Sequence, residues 1–314
     1  MSRVPRHLHV VFGLRPQTEP FHLVYYLAVR SALALNRFDR ATMWVHHTPF
    51  GPWWDRLRPE LDVARVDLVP AVLRARYPDA DVRRYDYAHH ADFVRLAALV
   101  EHGGVYVDID TICAAPYEAR LFEHPMVLGE ELPGALCNAV IFAEPGAELA
   151  RRWLDGMAGA LDGSWSGHSN GLATALAAAD PELVHVEPAR AFYRHGYDRA
   201  GIRALMTGDD PDRRGVMSLH LWNHLWWARG RVASTTLHGG LLTEDFIRAV
   251  DTTYTRLARP HLPPGRAPSR AARRRAEATL RGVRLLDRAL DLARPLNDAA
   301  RALRARAARL GTGS

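Results

Sequence analysis

Apolar positions along this chain follow two alternating periods. Across residues 91–101, Phe93, Leu96, Ala97 and Val100 fall at i, i+3, i+4 and i+7, the stripe of an amphipathic helix. Gly103-Gly104 then ends the pattern, because glycine tolerates the left-handed backbone that closes a helix. Val105-Tyr106-Val107 is short, β-branched and aromatic, the composition of a buried strand. Residues 21–36, 146–161 and 169–179 also predict helices, and Ala41–Val45 predicts a strand. Val63 to Val69 alternates apolar and charged residues, as an edge strand does. No internal repeat is present. This alternation predicts an α/β fold with a single, mostly parallel central sheet flanked by helices.

The apolar strand 105–107 runs into Asp108-Ile109-Asp110. In an open α/β sheet, ligands bind beyond the carboxyl ends of strands, which is where both carboxylates fall. Strand periodicity would put residues i and i+2 on one side, so both can face one hard cation such as Mn²⁺ or Mg²⁺. The tripeptide alone is a weak signal, since Asp79-Ala80-Asp81 repeats it after Tyr77-Pro78 in a polar stretch that reads as a turn. Asp92 and Arg95 lie three apart on the polar side of the helix. Taken alone they are an exposed ion pair contributing about 0.3–0.5 kcal/mol.

Taken together, Ala88-His89-His90-Ala91-Asp92-Phe93-Val94-Arg95, Leu99 and Gly103-Gly104-Val105-Tyr106-Val107-Asp108-Ile109-Asp110 resemble the core of bacterial sugar transferases with a DXD sugar-binding region, related to glycosyltransferase family 32. The resemblance implies a GT-A fold over residues 1–260, a nucleotide-diphosphate sugar donor (UDP-sugar foremost), a divalent cation and retention at the anomeric carbon. It further implies that Asp92 and Arg95 meet donor hydroxyls, that Asp108 contacts ribose or sugar and helps hold the metal, and that Asp110 ligates it directly. Tyr106 belongs to the same donor-binding motif. Ala91 stands where the family usually has Ser, so a hydroxyl contact is lost there.

Other segments resemble the family more loosely. His9–Leu14 is similar to its opening strand, after which the base binds; Phe12 either stacks on that base or fills the core, and Gly13 permits close ligand approach. Leu136–Ala143 is similar to a second core strand, with Asn138 entering the donor pocket or simply forming a turn. Gly167–Thr174 is similar to a loop-to-helix segment lining the acceptor side, where Ser169 or Asn170 can also be an N-cap. Met217–His224 is similar to a His-x-Trp element over the pyrophosphate: His220 would then be a metal ligand and Trp222 a lid, or both are core residues.

Composition narrows the picture further. Two cysteines, Cys113 and Cys137, are too few for a disulfide framework and fit a reducing compartment. Without a membrane-length apolar run or a secretory leader, a cytoplasmic location is expected. Residues 266–310 hold 13 Arg against four acidic residues, while lysine is absent throughout. They follow a Pro-rich linker, so 261–314 reads as an appended helical tail broken at Pro295. Such a helix can lie against the inner face of an anionic membrane, near lipid-linked acceptors, or pack on the core. Nucleic acid is not an expected partner, since the tail lacks interleaved aromatics. The acceptor itself, whether glycan, lipid-linked or small molecule, is not readable. Two rivals exist: a haloacid-dehalogenase-like phosphatase with Asp108 as nucleophile, which normally needs a lysine, and a non-catalytic sugar-nucleotide-binding subunit.

Overall fold

The computed structural model describes residues 2–223 and 241–310. They form two compact units, one of residues 2–223 with 252–265 and one of 241–251 with 266–310. The first is built on seven strands: β1 (His7–Phe12), β2 (Arg40–Val45), β3 (Asp62–Arg65), β4 (Gly104–Val107), β6 (Met126–Leu132), β7 (Ala135–Ala143) and β8 (His185–Glu187). Between them, β5 (Thr111–Cys113) pairs with β9 (Ser218–His220) in a separate antiparallel ribbon.

The large sheet runs β3-β2-β1-β4-β7-β6-β8. Four of its six pairings are parallel, as the strand-helix alternation predicts, and β7 runs against both neighbours. Val107 at the end of β4 pairs with Val140, so residues 135–139 of β7 project past β4. That projection leaves a strand edge beside the end of β4, where ligands of such sheets bind. Only the start of the alternating stretch from Val63 lies in the edge strand β3, residues 66–69 being outside any strand. The second acidic tripeptide, expected in a turn, instead opens a short helix, Ala80–Arg83, with Asp79 as its N-cap accepting the Asp81 N–H at 2.7 Å.

The helix Asp86–His102 positions the site. Phe93, Leu96 and Leu99 pack into a core with Leu149, Trp153 and Met157 of the helix Glu148–Ala160. Each such side chain contributes about 1.5–3 kcal/mol through removal from water. The rest of the predicted stripe differs: Ala97 is exposed and Val100 half-buried, whereas Asp92 and Arg95, expected on a solvated face, are 6% and 4% exposed. The helix is covered on two sides, and periodicity reveals only the apolar one. Gly103 and Gly104 take φ of +62° and +114°. A Cβ on Gly104 would lie 2.3 Å from the His7 carbonyl oxygen, so only glycine lets β4 approach β1 here.

In the second unit, the helix Arg270–Leu310 buries Ala272, Ala276, Leu280 and Val283 and packs on the helix Glu244–Ala249, which carries Phe246 and Ile247. It continues through Pro295 instead of breaking there. Proline deletes one N–H bond of a helix and crowds one carbonyl, which bends a long helix as readily as it ends one. No described helix is long and apolar enough to cross a membrane.

One buried histidine ties the sheet to the turn before β4. His9 Nε2–H donates to the Gly103 carbonyl at 2.8 Å, and Trp44 Nε1–H donates to His9 Nδ1 at 3.1 Å. The two bonds together require the neutral tautomer. Burial foremost, aided by the charge of His7, pushes the His9 pKa down to about 3; burial also lowers His7 to about 4. An unfolded chain takes up these protons near the ordinary value of about 6.5, and the folded one does so only below it. Stability therefore falls as pH drops from about 6.5 toward 3. Going from pH 7 to pH 5, His9 should account for about 2 kcal/mol of lost stability. Urea unfolding at both pH values should show His9→Gln less acid-sensitive by that amount; equal slopes for the two proteins would contradict it.

A candidate metal centre on a buried ion-pair array

Asp108 and Asp110 are not two positions along one strand. β4 ends at Val107, and the Thr111 N–H donates to the Asp108 carbonyl at 2.9 Å, closing a tight turn between β4 and β5. The turn, not strand periodicity, brings the carboxylates together. β5 pairs with β9 so that Thr111 faces His220, which delivers an imidazole to the same place. His220 Nε2 lies 3.2 Å from Asp110 Oδ1 and 3.6 Å from Asp108 Oδ2.

Each carboxylate is held by one oxygen and aims the other at this point. Asp108 Oδ1 accepts the Tyr106 hydroxyl at 2.6 Å and meets Arg95 Nη1 at 3.1 Å. Asp110 Oδ2 accepts the Asn223 N–H at 2.7 Å. That last bond needs an unusual backbone: Trp222 has φ +55°, the one non-glycine residue with positive φ among those described. Its indole donates to the His195 carbonyl at 2.9 Å and its ring packs 4.2 Å from that of His220. Backbone strain of this kind costs about 1–3 kcal/mol and persists where surroundings enforce it.

Charge is layered behind the turn. Arg95 bridges Asp92 Oδ1 (3.0 Å) and Asp108, donates to the Asn138 carbonyl at 2.8 Å and stacks 4.5 Å over the Tyr106 ring. Asn138 in turn donates from Nδ2 to Asp92 Oδ1 at 2.8 Å. Burial works to raise the Asp92 pKa, but Arg95 and then His168 outweigh it and hold Asp92 below the usual carboxylate range. For Asp108 burial wins: Arg95 and His220 pull its pKa down, Asp110 pushes it up, and the result lies above the ordinary value. Burial opposes a charged His220, yet Asp110 and Asp108 lift its pKa above normal.

One ligand atom from each of Asp108, Asp110 and His220 lies within 4.8 Å of the others. Two carboxylate oxygens and one imidazole nitrogen carry two negative charges when His220 is neutral. This donor set suits a divalent ion that accepts oxygen and nitrogen, as Mn²⁺ does.

The remaining residues singled out in the sequence sit around this centre. Phe12 is half-buried at the end of β1, its ring 4.9 Å from Phe21 and 5.2 Å from Tyr25. Gly13 takes φ +70°, and a Cβ there would strike the His47 carbonyl oxygen at 2.2 Å. Tyr106 is buried, facing Asp108 and Arg95, and Asn138 lies on the projecting part of β7. Neither Ser169 nor Asn170 caps a helix; Asn170 Oδ1 instead accepts the Asn138 N–H at 3.1 Å. Three contributors were not visible in the sequence. Asn223 and Tyr25 link the aromatic end of β1 to Asp110, through an Asn223 Nδ2–Tyr25 hydroxyl bond of 2.5 Å. His168 Nε2 lies 3.1 Å from Asp92 Oδ2. The segments Met217–His224 and Gly167–Thr174 flagged Asn223 and His168 by position only, and nothing local marks Tyr25.

Residues 53–129, which include the helix bearing Asp92 and Arg95 and the turn bearing both carboxylates, match the family described as "Glycosyltransferase sugar-binding region containing DXD motif". That segment is thus similar to the sugar-binding region of DXD glycosyltransferases. The chain's mixed sheet flanked by helices is compatible with the GT-A arrangement that the resemblance implies. The chain is also similar to "Glucan organizing enzyme 1" of Cryptococcus neoformans, at 29% identity over 282 residues, covering 83% of this chain and 71% of the relative. Among solved structures it is similar to "PaToxG Glycosyltransferase" at 13% identity and a TM-score of 0.40, covering 57% of this chain and 73% of that one. A second, "WbbM bifunctional glycosytransferase", has 9% identity and a TM-score of 0.40, covering 70% of this chain and 45% of that one. The matched segment supports a transferase enzyme, and the phosphatase alternative is not favoured: the chain holds no lysine for that chemistry.

Removing Arg95 would leave two carboxylates facing each other with little water. Arg95→Met should lower the unfolding free energy by about 3–5 kcal/mol, as breaking a buried ion pair from one side does. Denaturant unfolding checks this, and a loss under 1 kcal/mol would mean that the array is not what holds this corner.

Proposed function

We propose that this enzyme transfers a sugar from a uridine-diphosphate sugar to a glycan acceptor, with a divalent cation, Mn²⁺ foremost, bound by Asp108, Asp110 and His220, and with retention at the anomeric carbon. The observation that carries this reading is the convergence of three ligand atoms at the end of β4, inside and beside the DXD-matching segment. A cation held there would act as a Lewis acid on the diphosphate, offsetting the charge that develops as the sugar leaves. The chain's own groups supply the rest. Arg95 fixes Asp108 from behind, and Asn223 fixes Asp110, so neither carboxylate reorganises during the reaction. The ring cluster of Phe12, Phe21 and Tyr25 stands beyond β1, where a base can stack. Asp92 and Arg95, being almost fully buried, offer the donor only narrow edges and act chiefly on Asp108. The name of the Cryptococcus relative supports a glycan as acceptor.

Nucleotide sugars tested with and without manganese should raise the melting temperature only in metal-containing UDP-sugar samples, because a ligand stabilises the state that binds it. Asp110→Asn should abolish metal-dependent donor hydrolysis while keeping the wild-type circular dichroism. Full turnover by that variant would exclude the assigned centre. Proton NMR of the first-formed product would reveal inversion if the stereochemical part is wrong.

We also propose that the Arg270–Leu310 helix rests on anionic lipid. Opposite its buried stripe, Leu285 and Leu292 are 63% and 80% exposed, and Arg274, Arg281 and Arg288 share that side at helical spacing. Apolar side chains inserted between acyl chains, with arginines at headgroup level, are the pattern of an interfacial helix. The full chain should co-sediment with phosphatidylserine-containing vesicles and not with pure phosphatidylcholine, and Leu285→Glu with Leu292→Glu should release it. Equal sedimentation with both vesicle types, or with neither, would refute lipid contact.

A further inference from the structure

The projecting end of β7 has no strand beside it on the β4 side, yet its polar groups are paired. Leu136 N–H donates to Thr174 Oγ1 at 3.0 Å, Asn138 N–H to Asn170 Oδ1 at 3.1 Å, and the Asn138 carbonyl accepts from Arg95. Both side-chain acceptors come from one short segment, a π-helical turn Gly167–Gly171 running into the helix Leu172–Ala179. Turns of this wide type are rare and tend to occur at functional sites. The same turn carries His168, which is fully buried, with its backbone carbonyl anchored by the Trp153 indole at 3.2 Å.

His168 Nε2 lies at ion-pair distance, 3.1 Å, from Asp92 Oδ2, the carboxylate oxygen opposite the one held by Asn138 and Arg95, although off the line of a well-formed hydrogen bond. Its ring packs 4.5 Å from His89, edge to face, and lies nearly parallel to Phe93 at 6.0 Å. His89 is itself fixed by Tyr77, whose hydroxyl is 2.9 Å from its Nδ1. The ring of His168 is therefore wedged between rings, and Asp92 is the carboxylate it touches.

We infer that His168 is a positioning residue for the transfer reaction: it holds Asp92, Asp92 holds Arg95, and Arg95 sets the oxygen of Asp108 that meets the donor side. The π turn works as a two-point brace, with His168 on the acid and Asn170 on the strand edge that Arg95 also grips. Asp92 braced on one oxygen only could rotate about its terminal torsion, which is broad and shallow for carboxylates. Arg95 would follow it, and a shift of about 1 Å at a reacting group can cost a hundredfold in rate.

This inference rests on the transferase reading, and the test separates the two. His168→Gln places an amide nitrogen where Nε2 now sits, whereas His168→Asn reaches only the Nδ1 position. Both are polar and fit the same space, so folding does not distinguish them. With the full chain, UDP-sugar and Mn²⁺, His168→Asn should lower kcat at least tenfold with little change in donor KM. His168→Gln should recover most of that loss. Manganese affinity, followed by electron paramagnetic resonance without donor, should weaken in His168→Asn and not in His168→Gln. Wild-type kcat and manganese affinity in His168→Asn, or equal losses in both variants, would overturn the positioning role alone. A wild-type protein that neither binds manganese nor hydrolyses any nucleotide sugar would overturn the transferase reading, and this inference with it.

Discussion

A guanidinium with almost no water around it organises this enzyme. Arg95 meets two carboxylates, two backbone carbonyls and one aromatic face, and it draws together a helix, the strand before the acidic turn and the projecting end of a second strand. Taking such a charge out of water costs several kcal/mol, which the attraction of Asp92 and Asp108 must offset. The arrangement is therefore a poor source of stability and a good source of geometry. Asp108 is left with one oxygen immobilised and one turned outward, as a binding group needs to be before its ligand arrives.

Much of the scaffold was legible in the chain because it obeys local rules. The helix before the glycine pair, the short apolar strand and the start of the edge strand at Val63 follow from spacing and from the backbone preferences of glycine, whereas Asp79, expected in a turn, caps a short helix. The acidic tripeptide was legible too, although for the wrong geometric reason: a turn closed by Thr111 brings Asp108 and Asp110 together. A tripeptide pattern is the same in a strand and in a turn, so only the backbone distinguishes them.

What stayed hidden depends on contacts between distant segments. A helix stripe tells which side is apolar and is silent about what covers the other, so Asp92 and Arg95 looked solvated and prove buried. Tyr25 and Asn223 meet across most of the chain, and His168 reaches Asp92 from a turn with a width that few sequences adopt. Pro295 misled in the opposite sense, since one lost hydrogen bond did not end a helix of 41 residues. The misses at Asp92, Arg95, Tyr25, Asn223 and His168 are cases of tertiary packing that local patterns do not carry.

Two residues of the candidate centre come from the turn after β4, and the third arrives on β9, a strand of three residues in a ribbon apart from the main sheet. The acidic pair alone is a half-built receptor. Until the ribbon zips and Trp222 adopts its uncomfortable backbone, no imidazole stands opposite those acids. Any cation affinity at this centre would thus depend on the ribbon, and a form of the chain lacking β9 would present only the acidic pair however native its sheet.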